Sequence, residues 1–364
     1  MEILYYFKEK DTLMDKWQSY HIFNELAQHN CKVTVFNPLN YENIQVSNEM
    51  LLKHLNTKKY DLFMTPHGSK DIYIETIKRI KEISIPTLLI CFDNLIVPFN
   101  HKDIAKYFDL VWLTSKETEE MFKKWGANTL FNPYAANPSI FSRSYETEIL
   151  NVAFIGTPYG SRVNMLMSLI KNDINVDLYA NKTNHTIGKV QKHVVNDFLI
   201  PMYNLSRFKI GRRVLLGAML QKFKNSATLD FENKNISHYD PVTLDRLGNL
   251  YSIYALSLSS TVARNTGILK RPVNIVNLRS FEIPMSAGLQ ICEYNAELAS
   301  YFEEDKEIIF YRSNEELIEK SKFYLKEENK GIRMRMKEEA RKRAESEHTW
   351  YERFKKIFDN FGII

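Results

Sequence analysis

Twice along this chain of 364 residues, short apolar segments alternate with amphipathic ones. In the first 145 residues, "EILYYF", "KVTVFNP", "DLFMTPH", "PTLLICFD", "DLVWLTS" and "NTLFNPYA" have the length and composition of strands. Between them lie stretches with apolar residues at helical spacing, such as "DIYIETIKRIKEI" and "KETEEMFKKWG". Buried strands that alternate with helices are typical of a parallel sheet with helices on both faces. The pattern therefore predicts a doubly wound α/β domain over residues 1–145.

The alternation starts again at "NVAFIGTPYGSR", and further strands are predicted at "INVDLYANK", "LSLSST", "GLQICE" and "EIIFYR". A chain of this length is too long for one ordinary core. We therefore predict a second Rossmann-like domain over residues 146–348, with the boundary in the polar stretch 138–150. Residues 182–236 break the rhythm and are predicted to be an irregular basic insertion. Residues 349–364 are predicted to form a C-terminal helix.

The charge and the cysteines limit the kind of protein. A formal net charge of +5 is mild for this length. It fits an anionic small ligand or a weak attraction to acidic lipid and does not indicate nucleic acid. Cys31, Cys91 and Cys292 each lie in an apolar run, which predicts buried thiols and a reducing compartment.

The sequence also predicts where the protein works. The opening "MEILYYFKEKD" is too short and too charged for a signal peptide. No apolar run reaches the roughly 18 residues of a spanning helix. We expect a cytoplasmic protein, either free or peripherally attached to the inner face of the membrane.

The loop "FIGTPYGSR" is a candidate phosphate-binding turn. Gly156, Thr157, Tyr159 and Arg162 follow a predicted strand and precede a predicted helix. Such a turn exposes backbone N–H groups and a helix N-terminus, both of which attract phosphate. The spacing matches neither G-x-G-x-x-G nor the P-loop, so a nicotinamide or P-loop nucleotide site loses its main support. The alternative is a plain tight turn.

A second candidate segment is "LRSFEIPMSAGLQICEYN", residues 278–295. A helix that begins near Arg279 would direct its N-terminal dipole and a guanidinium toward a phosphate. Glu282, one turn later, is suited to accept hydrogen bonds from vicinal hydroxyls, as on a ribose. Pro284 fits the first turns of a helix, Gly288 allows a tight turn, and Glu293 ends the next strand. The alternative is an exposed ion pair between Arg279 and Glu282.

These residues carry a family resemblance. The stretch from "LRSFEIPMSAGLQICEYNAELASYFEEDKEIIFYRS" to "HTWYERFKKIF" resembles the C-terminal half of the spore-maturation (CgeB-like) glycosyltransferases. The segment "NVAFIGTPYGSR" resembles the first strand and loop of their donor domain. "LLICFDN" and "DLVWLTSKETEEMFKKWGANTLFNPYAANPSIF" resemble the second half of their acceptor domain. The resemblance covers roughly residues 85–180 and 240–360.

The resemblance implies the GT-B fold, in which two Rossmann-like domains face each other across a cleft and the last helix returns to the N-terminal domain. It implies a donor site in the C-terminal domain, with Glu282 holding the donor ribose and Gly288 following the donor helix. Many retaining members of the wider fold carry a second acid seven residues earlier, where this chain has Ile275. Asn274 and Asn277 flank that position and could supply neutral hydrogen bonds to the donor.

The activity implied is transfer of a sugar from a nucleotide-diphosphate donor of the UDP, GDP or dTDP type. The acceptor would be a hydroxyl of a saccharide, a lipid-linked molecule or a protein, in bacterial surface polysaccharide or glycoprotein assembly. None of the 15 aspartates has another two positions away, so the metal-chelating D-x-D of the other major transferase fold is absent. We therefore expect no metal and no cofactor. The diphosphate would be neutralised by helix dipoles and by basic side chains, for which the candidates are Arg162, Lys270, Arg271 and Arg279.

On the acceptor side, Asp93 and His67 are the candidate catalytic residues. Asp93 ends the predicted strand "PTLLICFD", and a carboxylate at such a strand end can act as a general base or bind the acceptor hydroxyl. His67 ends "DLFMTPH". The alternatives are a turn-capping role for Asp93 and a structural role for His67.

The stretch 205–225 is basic and predicts a weak contact with acidic lipid or a lipid-linked acceptor. A solvated helix face with interdomain ion pairs is the alternative for this stretch. Two other functions remain open for the whole chain, namely a nucleotide-sugar epimerase of the same fold and a non-catalytic nucleotide- or sugar-binding module.

Overall fold

The structure is a computed structural model that describes residues 1–10, 13–144, 146–181, 195–223 and 229–363. The chain divides into two compact units. The first unit consists of Met1–Tyr134 together with Trp350–Ile364, and the second consists of Ala135–Thr349. Each unit is built around one six-stranded sheet.

The sheet of the first unit is parallel throughout, with the spatial order β2-β1-β3-β4-β5-β6. Its strands are β1 (Glu2–Tyr6), β2 (Lys32–Phe36), β3 (Leu62–Thr65), β4 (Thr87–Cys91), β5 (Leu110–Leu113) and β6 (Thr129–Phe131). Strands β3, β4 and β5 are buried at every position, as expected for strands covered on both faces.

The helices of the first unit are α1 (Leu13–Gln18), α2 (Asn24–Gln28), α3 (Ile44–Leu55), α4 (Ile74–Glu82) and α5 (Glu119–Lys124). The sequence predicts one continuous helix over residues 17–27. Instead, a π-helical turn at Ser19–Phe23 separates α1 from α2. The wider turn contains the buried His21, whose Nδ1 accepts a hydrogen bond of 3.0 Å from Nε1 of Trp350.

The last helix, α13 (Trp350–Phe361), is part of the first unit. The carboxylate of Glu25 accepts the backbone N–H groups of Trp350 and Tyr351 at 3.1 and 2.8 Å, which caps the helix. The side chains of Trp350 and Phe354 are fully buried, and Arg353 donates to the backbone carbonyl of Pro133 at 3.1 Å. The helix therefore completes the core of a unit that begins more than 300 residues earlier in the chain.

The sheet of the second unit is also parallel, with the order β12-β11-β10-β7-β8-β9. Its strands are β7 (Ile149–Ile155), β8 (Val176–Tyr179), β9 (Ile236–Tyr239), β10 (Tyr254–Leu258), β11 (Gln290–Glu293) and β12 (Ile309–Tyr311). In chain order within the unit this is the 3-2-1-4-5-6 order of a doubly wound dinucleotide-binding sheet. The direction of winding reverses between β7 and β10, which are paired.

The helices of the second unit are α6 (Ser161–Ile170), α7 (Val195–Ser206), α8 (Lys209–Phe223), α9 (Leu244–Ile253), α10 (Arg279–Met285), α11 (Asn314–Tyr324) and α12 (Lys330–Glu347). No described helix is both long enough and apolar enough to cross a bilayer. All three cysteine thiols are buried and free, which confirms their predicted burial.

The structure corrects the description of residues 182–236 as irregular. The described part contains the helices α7 and α8 and leads into the edge strand β9. Residues 182–194 and 224–228 lie outside the described residues. The sequence between Lys209 and Phe223 is rich in Leu, Met, Arg, Lys and Gln, which have high helix propensity. This propensity favours the helices, whereas the charges of the segment carry no signal for them.

Candidate functional site

The candidate site lies at the carboxyl ends of β7 and β10, the point where the winding of the second sheet reverses. Gly156 follows β7, and Ser260 and Thr261 follow β10. Arg279 begins α10, as the sequence predicts. In open α/β sheets this crevice is the general location for ligands.

The backbone of Gly156 and the guanidinium of Arg279 are in close contact. Gly156 has φ of +141°, a conformation that favours glycine. A Cβ atom added there would lie only 2.8 Å from Nη2 of Arg279 and 3.3 Å from its Cζ. A glycine at this position therefore lets the guanidinium lie directly against the loop.

Arg279 is partly buried beside Tyr251 and Glu282. Burial lowers the pKa of the Arg279 guanidinium, but Tyr251 and Glu282 outweigh burial and leave this pKa above its usual value. Burial, reinforced by Glu282, raises the pKa of the Tyr251 phenol. Glu282 itself is 5% exposed. The alternative of an exposed ion pair between Arg279 and Glu282 does not fit the structure, because Glu282 is buried.

Two more guanidinium groups lie in the same loop region. The Cζ atoms of Arg162 and Arg264 lie 4.3 and 4.8 Å from the ring centroid of Tyr159, within cation–π distance. Nη1 of Arg162 also donates to the carbonyl of Thr157 at 3.3 Å. Burial lowers the pKa of Arg162, and the positive charges of Arg279 and Arg264 act in the same direction. Three cations held this close together form a site suited to an anion with more than one charge.

Glu293, at the end of β11, fixes the loop that follows β10. Its carboxylate accepts hydrogen bonds from the hydroxyl of Ser260 at 3.2 Å and from the backbone N–H of Thr261 at 3.0 Å. Burial raises the pKa of Glu293, against the opposing effects of Thr261, Ser260 and Arg162. These contacts indicate that Glu293 positions the loop and balances part of the charge of Arg162.

The two predicted asparagines differ in their surroundings. Nδ2 of Asn277 donates to the carbonyl of Ser260 at 3.1 Å, while its buried Oδ1 has no hydrogen-bond partner among the described residues. Buried polar atoms of this kind are usually satisfied, so the amide oxygen is available to a ligand donor. Asn274 is exposed and pairs through its backbone with Val262.

Gly288 has a packing role in the structure. A Cβ atom there would lie 2.6 Å from the carbonyl oxygen of Tyr251 and 3.0 Å from that of Ile283. The tight turn predicted at Gly288 is shifted by one residue, because the left-handed φ of +53° belongs to Ala287. Glycine is needed at position 288 because the backbone of α9 approaches it closely. Pro284 lies inside α10.

The structure thus brings Gly156, Tyr159, Arg162, Arg279 and Glu293 together. Two residues that lie beside this group, Arg264 and Tyr251, are not among the site residues predicted from the sequence. Arg264 lies between β10 and α10 in a segment without regular structure, and only its position after a strand end of this sheet could have indicated it. Tyr251 lies in α9 among apolar residues and has no sequence signal that distinguishes it from a core tyrosine.

In the first unit, Asp93 is exposed and follows β4 with a left-handed φ of +54°. Its Oδ1 accepts a hydrogen bond of 3.0 Å from the hydroxyl of Tyr134. Burial raises the pKa of the Tyr134 phenol. The next residue, Asn94, is fully buried and binds the backbone of Thr114 and Ser115 through its Oδ1. Asn94 therefore holds the loop, and the strained backbone presents the Asp93 carboxylate at the strand end.

His67 is held by contacts at both ring nitrogens. Its Nε2 accepts the backbone N–H of Lys8 at 2.9 Å, which requires the proton to be on Nδ1 in the neutral ring. Nδ1 lies 3.5 Å from Oδ2 of Asp71. His67 and then Lys8 hold the pKa of Asp71 at about 2. Because both nitrogens are engaged, this geometry favours the structural alternative for His67. Asp93 and His67 belong to the first unit, and the donor-site candidates belong to the second.

Among the described residues, no cluster of three or more His, Cys, Asp or Glu side chains could hold a metal ion.

The comparison with known proteins adds family information. Residues 198–359 match the family model described as "Glycosyl transferase-like". No curated protein sequence matches the chain.

Several solved structures share the architecture of the whole chain. HepE from Anabaena, crystallised with UDP-glucose, is 11% identical with a TM-score of 0.55, and the match covers 100% of both chains. A glycosyltransferase from Rickettsia africae is 12% identical with a TM-score of 0.58, over 99% of this chain and 97% of that one. Sucrose-phosphate synthase from Thermosynechococcus elongatus is 10% identical with a TM-score of 0.55, over 99% and 98%. At these identities the similarity establishes the fold, and it confirms the predicted class of two Rossmann-like domains as in GT-B proteins.

Proposed function

We propose that the protein is a glycosyltransferase that binds a nucleotide-diphosphate sugar at the reversal point of the second sheet. The observation that carries this proposal is the cluster of Arg162, Arg264 and Arg279 around a glycine loop, within a unit that largely matches the glycosyl transferase-like family. The cluster supplies positive charge where a diphosphate would develop negative charge as it leaves. That HepE was crystallised with UDP-glucose supports a donor of this type.

In the proposed reaction, the acceptor hydroxyl oxygen forms a bond to the anomeric carbon of the donor sugar. The bond from that carbon to the diphosphate oxygen breaks, and its electron pair leaves with the nucleoside diphosphate. The hydroxyl proton passes to a base. Because the chain has no D-x-D, we infer that the three arginines neutralise the leaving group without a metal.

Within this proposal, Glu282 binds the donor ribose. It is a buried carboxylate one turn into α10, beside Arg279 and Tyr251. Charged side chains are seldom this buried unless they are paired or have a function. A carboxylate in this place can accept hydrogen bonds from both hydroxyls of a ribose, as the resemblance to CgeB-like transferases implies.

The test is calorimetry of UDP, GDP, dTDP and CDP binding to the unaltered protein and to Glu282→Gln. Hydrogen bonds to a charged group are worth roughly 1.5–3 kcal/mol, so affinity for the preferred nucleotide should fall about tenfold or more. The 2′,3′-dideoxy analogue should lose almost nothing, since it lacks the hydroxyls. Glu339→Gln, on an exposed face of α12, is the matched control. An equal loss for both ligands would mean that Glu282 only supports the helix.

We further propose Asp93 as the general base or acceptor-hydroxyl ligand, supported by its exposed carboxylate at a strand end. Asp93→Asn should lower kcat by about 10²–10⁴ while nucleotide affinity stays unchanged. Asp103→Asn, another exposed aspartate of the first unit, is the control. Turnover of the nucleotide-sugar donor that needs no acceptor and is insensitive to Asp93 would favour an epimerase or a hydrolase instead.

The finer assignment is also a proposal. We infer a CgeB-like enzyme that acts in the bacterial cytoplasm on a saccharide, lipid-linked or protein hydroxyl, in surface polysaccharide or glycoprotein assembly. The support is the resemblance of residues 278–295 and of the C-terminal block. A screen of isolated surface polysaccharide fragments and lipid-linked sugars as acceptors, with the nucleotide chosen by calorimetry, tests it.

A further inference from the structure

The hairpin of α7 and α8 exposes an unusual number of large apolar side chains. Half of the exposed large apolar residues in the described chain lie in these two helices. Their relative exposures are Leu199 52%, Ile200 54%, Met202 39%, Tyr203 64%, Leu216 49%, Met219 60%, Leu220 40% and Phe223 85%. Single exposed apolar residues are common, but a concentrated group marks an interaction site.

In α8 the exposed apolar residues form one stripe. Leu216, Met219, Leu220 and Phe223 are spaced i, i+3, i+4 and i+7, which places them on one face of the helix. On another face, Gly217 packs so closely that a Cβ atom there would lie 2.3 Å from the carbonyl oxygen of Asn265. The helix is therefore anchored to its unit at Gly217, and its apolar stripe is directed to solvent.

The charge of this segment has one sign. Residues 198–229 contain six basic residues and no acidic residue. Without these six, the Lys and Arg of the chain number one fewer than the 44 Asp and Glu, so the segment accounts for the whole positive net charge. Arg212 and Lys209 are exposed and lie one and two turns before Leu216, so they extend the stripe of α8 at its N-terminal end.

We propose that the outer face of α8 docks on an anionic lipid bilayer. The apolar stripe would enter the boundary between headgroups and acyl chains, and the basic end would contact anionic headgroups. A helix of 15 residues with this charge lies in the plane of the bilayer and does not cross it. A second copy of the chain is the less favourable occupant, because its own segment carries six basic residues and no acidic residue that could neutralise them.

The experiment is co-sedimentation of the full chain with vesicles of phosphatidylcholine alone or mixed with phosphatidylglycerol. We expect binding to the mixed vesicles that weakens with salt. Phe223→Ser should weaken it on the order of tenfold. Lys209→Gln combined with Arg212→Gln should weaken it about 25-fold, from about fivefold for each charge.

Matched controls separate docking from general effects. Phe323→Ser removes a 45% exposed phenylalanine on α11, and Lys330→Gln with Lys342→Gln removes two exposed charges of α12. These variants should bind vesicles like the unaltered chain. Thermal melting and nucleotide calorimetry check that each variant is folded, and unchanged nucleotide affinity keeps this test independent of the proposed transferase activity.

A second measurement places the stripe in the bilayer. Because the three native thiols are buried, a cysteine at Met219→Cys can be labelled selectively with an environment-sensitive fluorophore. Its emission should shift to the blue on addition of the anionic vesicles. Absence of both binding and shift would overturn the proposal. So would a concentration-dependent dimer that dissociates in Phe223→Ser while vesicles fail to bind, since the face would then be a contact between copies.

Discussion

Replacing Gly156 by alanine should damage nucleotide binding far more than it damages the fold. The new Cβ would lie 2.8 Å from Nη2 of Arg279, closer than such atoms pack, so one of them must move. The atom in conflict is the far end of a flexible side chain, and the guanidinium can therefore rotate away at little cost. The Arg279 guanidinium then no longer lies against the Gly156 loop.

The magnitudes separate these two effects. At φ of +141° the backbone lies in a region essentially restricted to glycine, where another residue costs about 1–3 kcal/mol, and the reduced freedom of the unfolded chain returns roughly 0.4–1 kcal/mol of that. The net free energy of unfolding should thus fall by about 1–2 kcal/mol. Displacing Arg279 from a phosphate removes a charge-assisted hydrogen bond worth roughly 1.5–3 kcal/mol, which corresponds to about 10- to 150-fold in affinity.

The same loop offers a matched control. Gly160 also has a positive φ, +55°, but a Cβ atom there would have nothing within 4 Å. Gly160→Ala should therefore show the backbone strain alone. Urea unfolding measures stability in both variants, and calorimetry measures affinity for the nucleoside diphosphate and for the nucleoside without phosphates.

We expect similar losses of stability in the two variants, and a loss of diphosphate affinity in Gly156→Ala only. Nucleoside affinity should change little in either variant. Equal diphosphate affinity in both variants would refute the assignment of Arg279 to the phosphates. A loss that is equal for nucleoside and diphosphate would instead show that the loop as a whole had moved.

Three further outcomes are expected. Glu148→Gln should lower the free energy of unfolding by about 3–5 kcal/mol, since Arg333 and Lys337 would remain buried without their carboxylate. Its control is Glu338→Gln at the surface, which should cost less than about 1 kcal/mol. Urea titration measures both variants. Asp71→Asn should lower the free energy of unfolding by about 1–2 kcal/mol near neutral pH. The pKa of Asp71 is about 2 in the folded protein and 3.8 normally, so its contribution to stability is present above pH 3.8 and is lost as the pH falls toward 2. The stabilities of the variant and the unaltered protein should therefore converge in acid. Sugar transfer should survive EDTA, and loss of turnover that Mn²⁺ or Mg²⁺ restores would contradict the role proposed for the arginines.

The sequence indicates most of the fold because strands buried on both faces have a strong compositional signal. The segments at β3, β4 and β5 are continuous apolar runs, and the structure has strands in all of them. By contrast, β9 is a four-residue edge strand, "ISHY", with only its first residue buried, so its sequence lacks that signal. The π-helical turn at Ser19–Phe23 contains His21, which contacts Trp350 from the other end of the chain, and the turn has no local sequence signature.

Within the candidate site, residues at strand ends can be predicted because topology places them at one edge of the sheet. The Gly156 loop and the start of α10 at Arg279 belong to this class. The contact between their atoms depends on side-chain geometry that spacing does not encode, as does the recruitment of Arg264 to the ring of Tyr159. The hydrogen bond to Nε2 of His67 likewise depends on the backbone of Lys8, which follows the neighbouring strand β1.

The position of α13 in the first unit has a consequence for synthesis on the ribosome. N-terminal domains usually fold while the rest of the chain is still being made. Here the nascent first unit lacks Trp350 and Phe354, and the buried carboxylate of Glu25 lacks the N–H groups that it caps. Translation of Ala135–Thr349 takes on the order of 10–40 s, and throughout that time the gap left by α13 exposes apolar surface. Until α13 is made, the nascent chain therefore exposes apolar surface of the kind that chaperones bind, and a ribosome that stalls within the second unit leaves a first unit without its last helix.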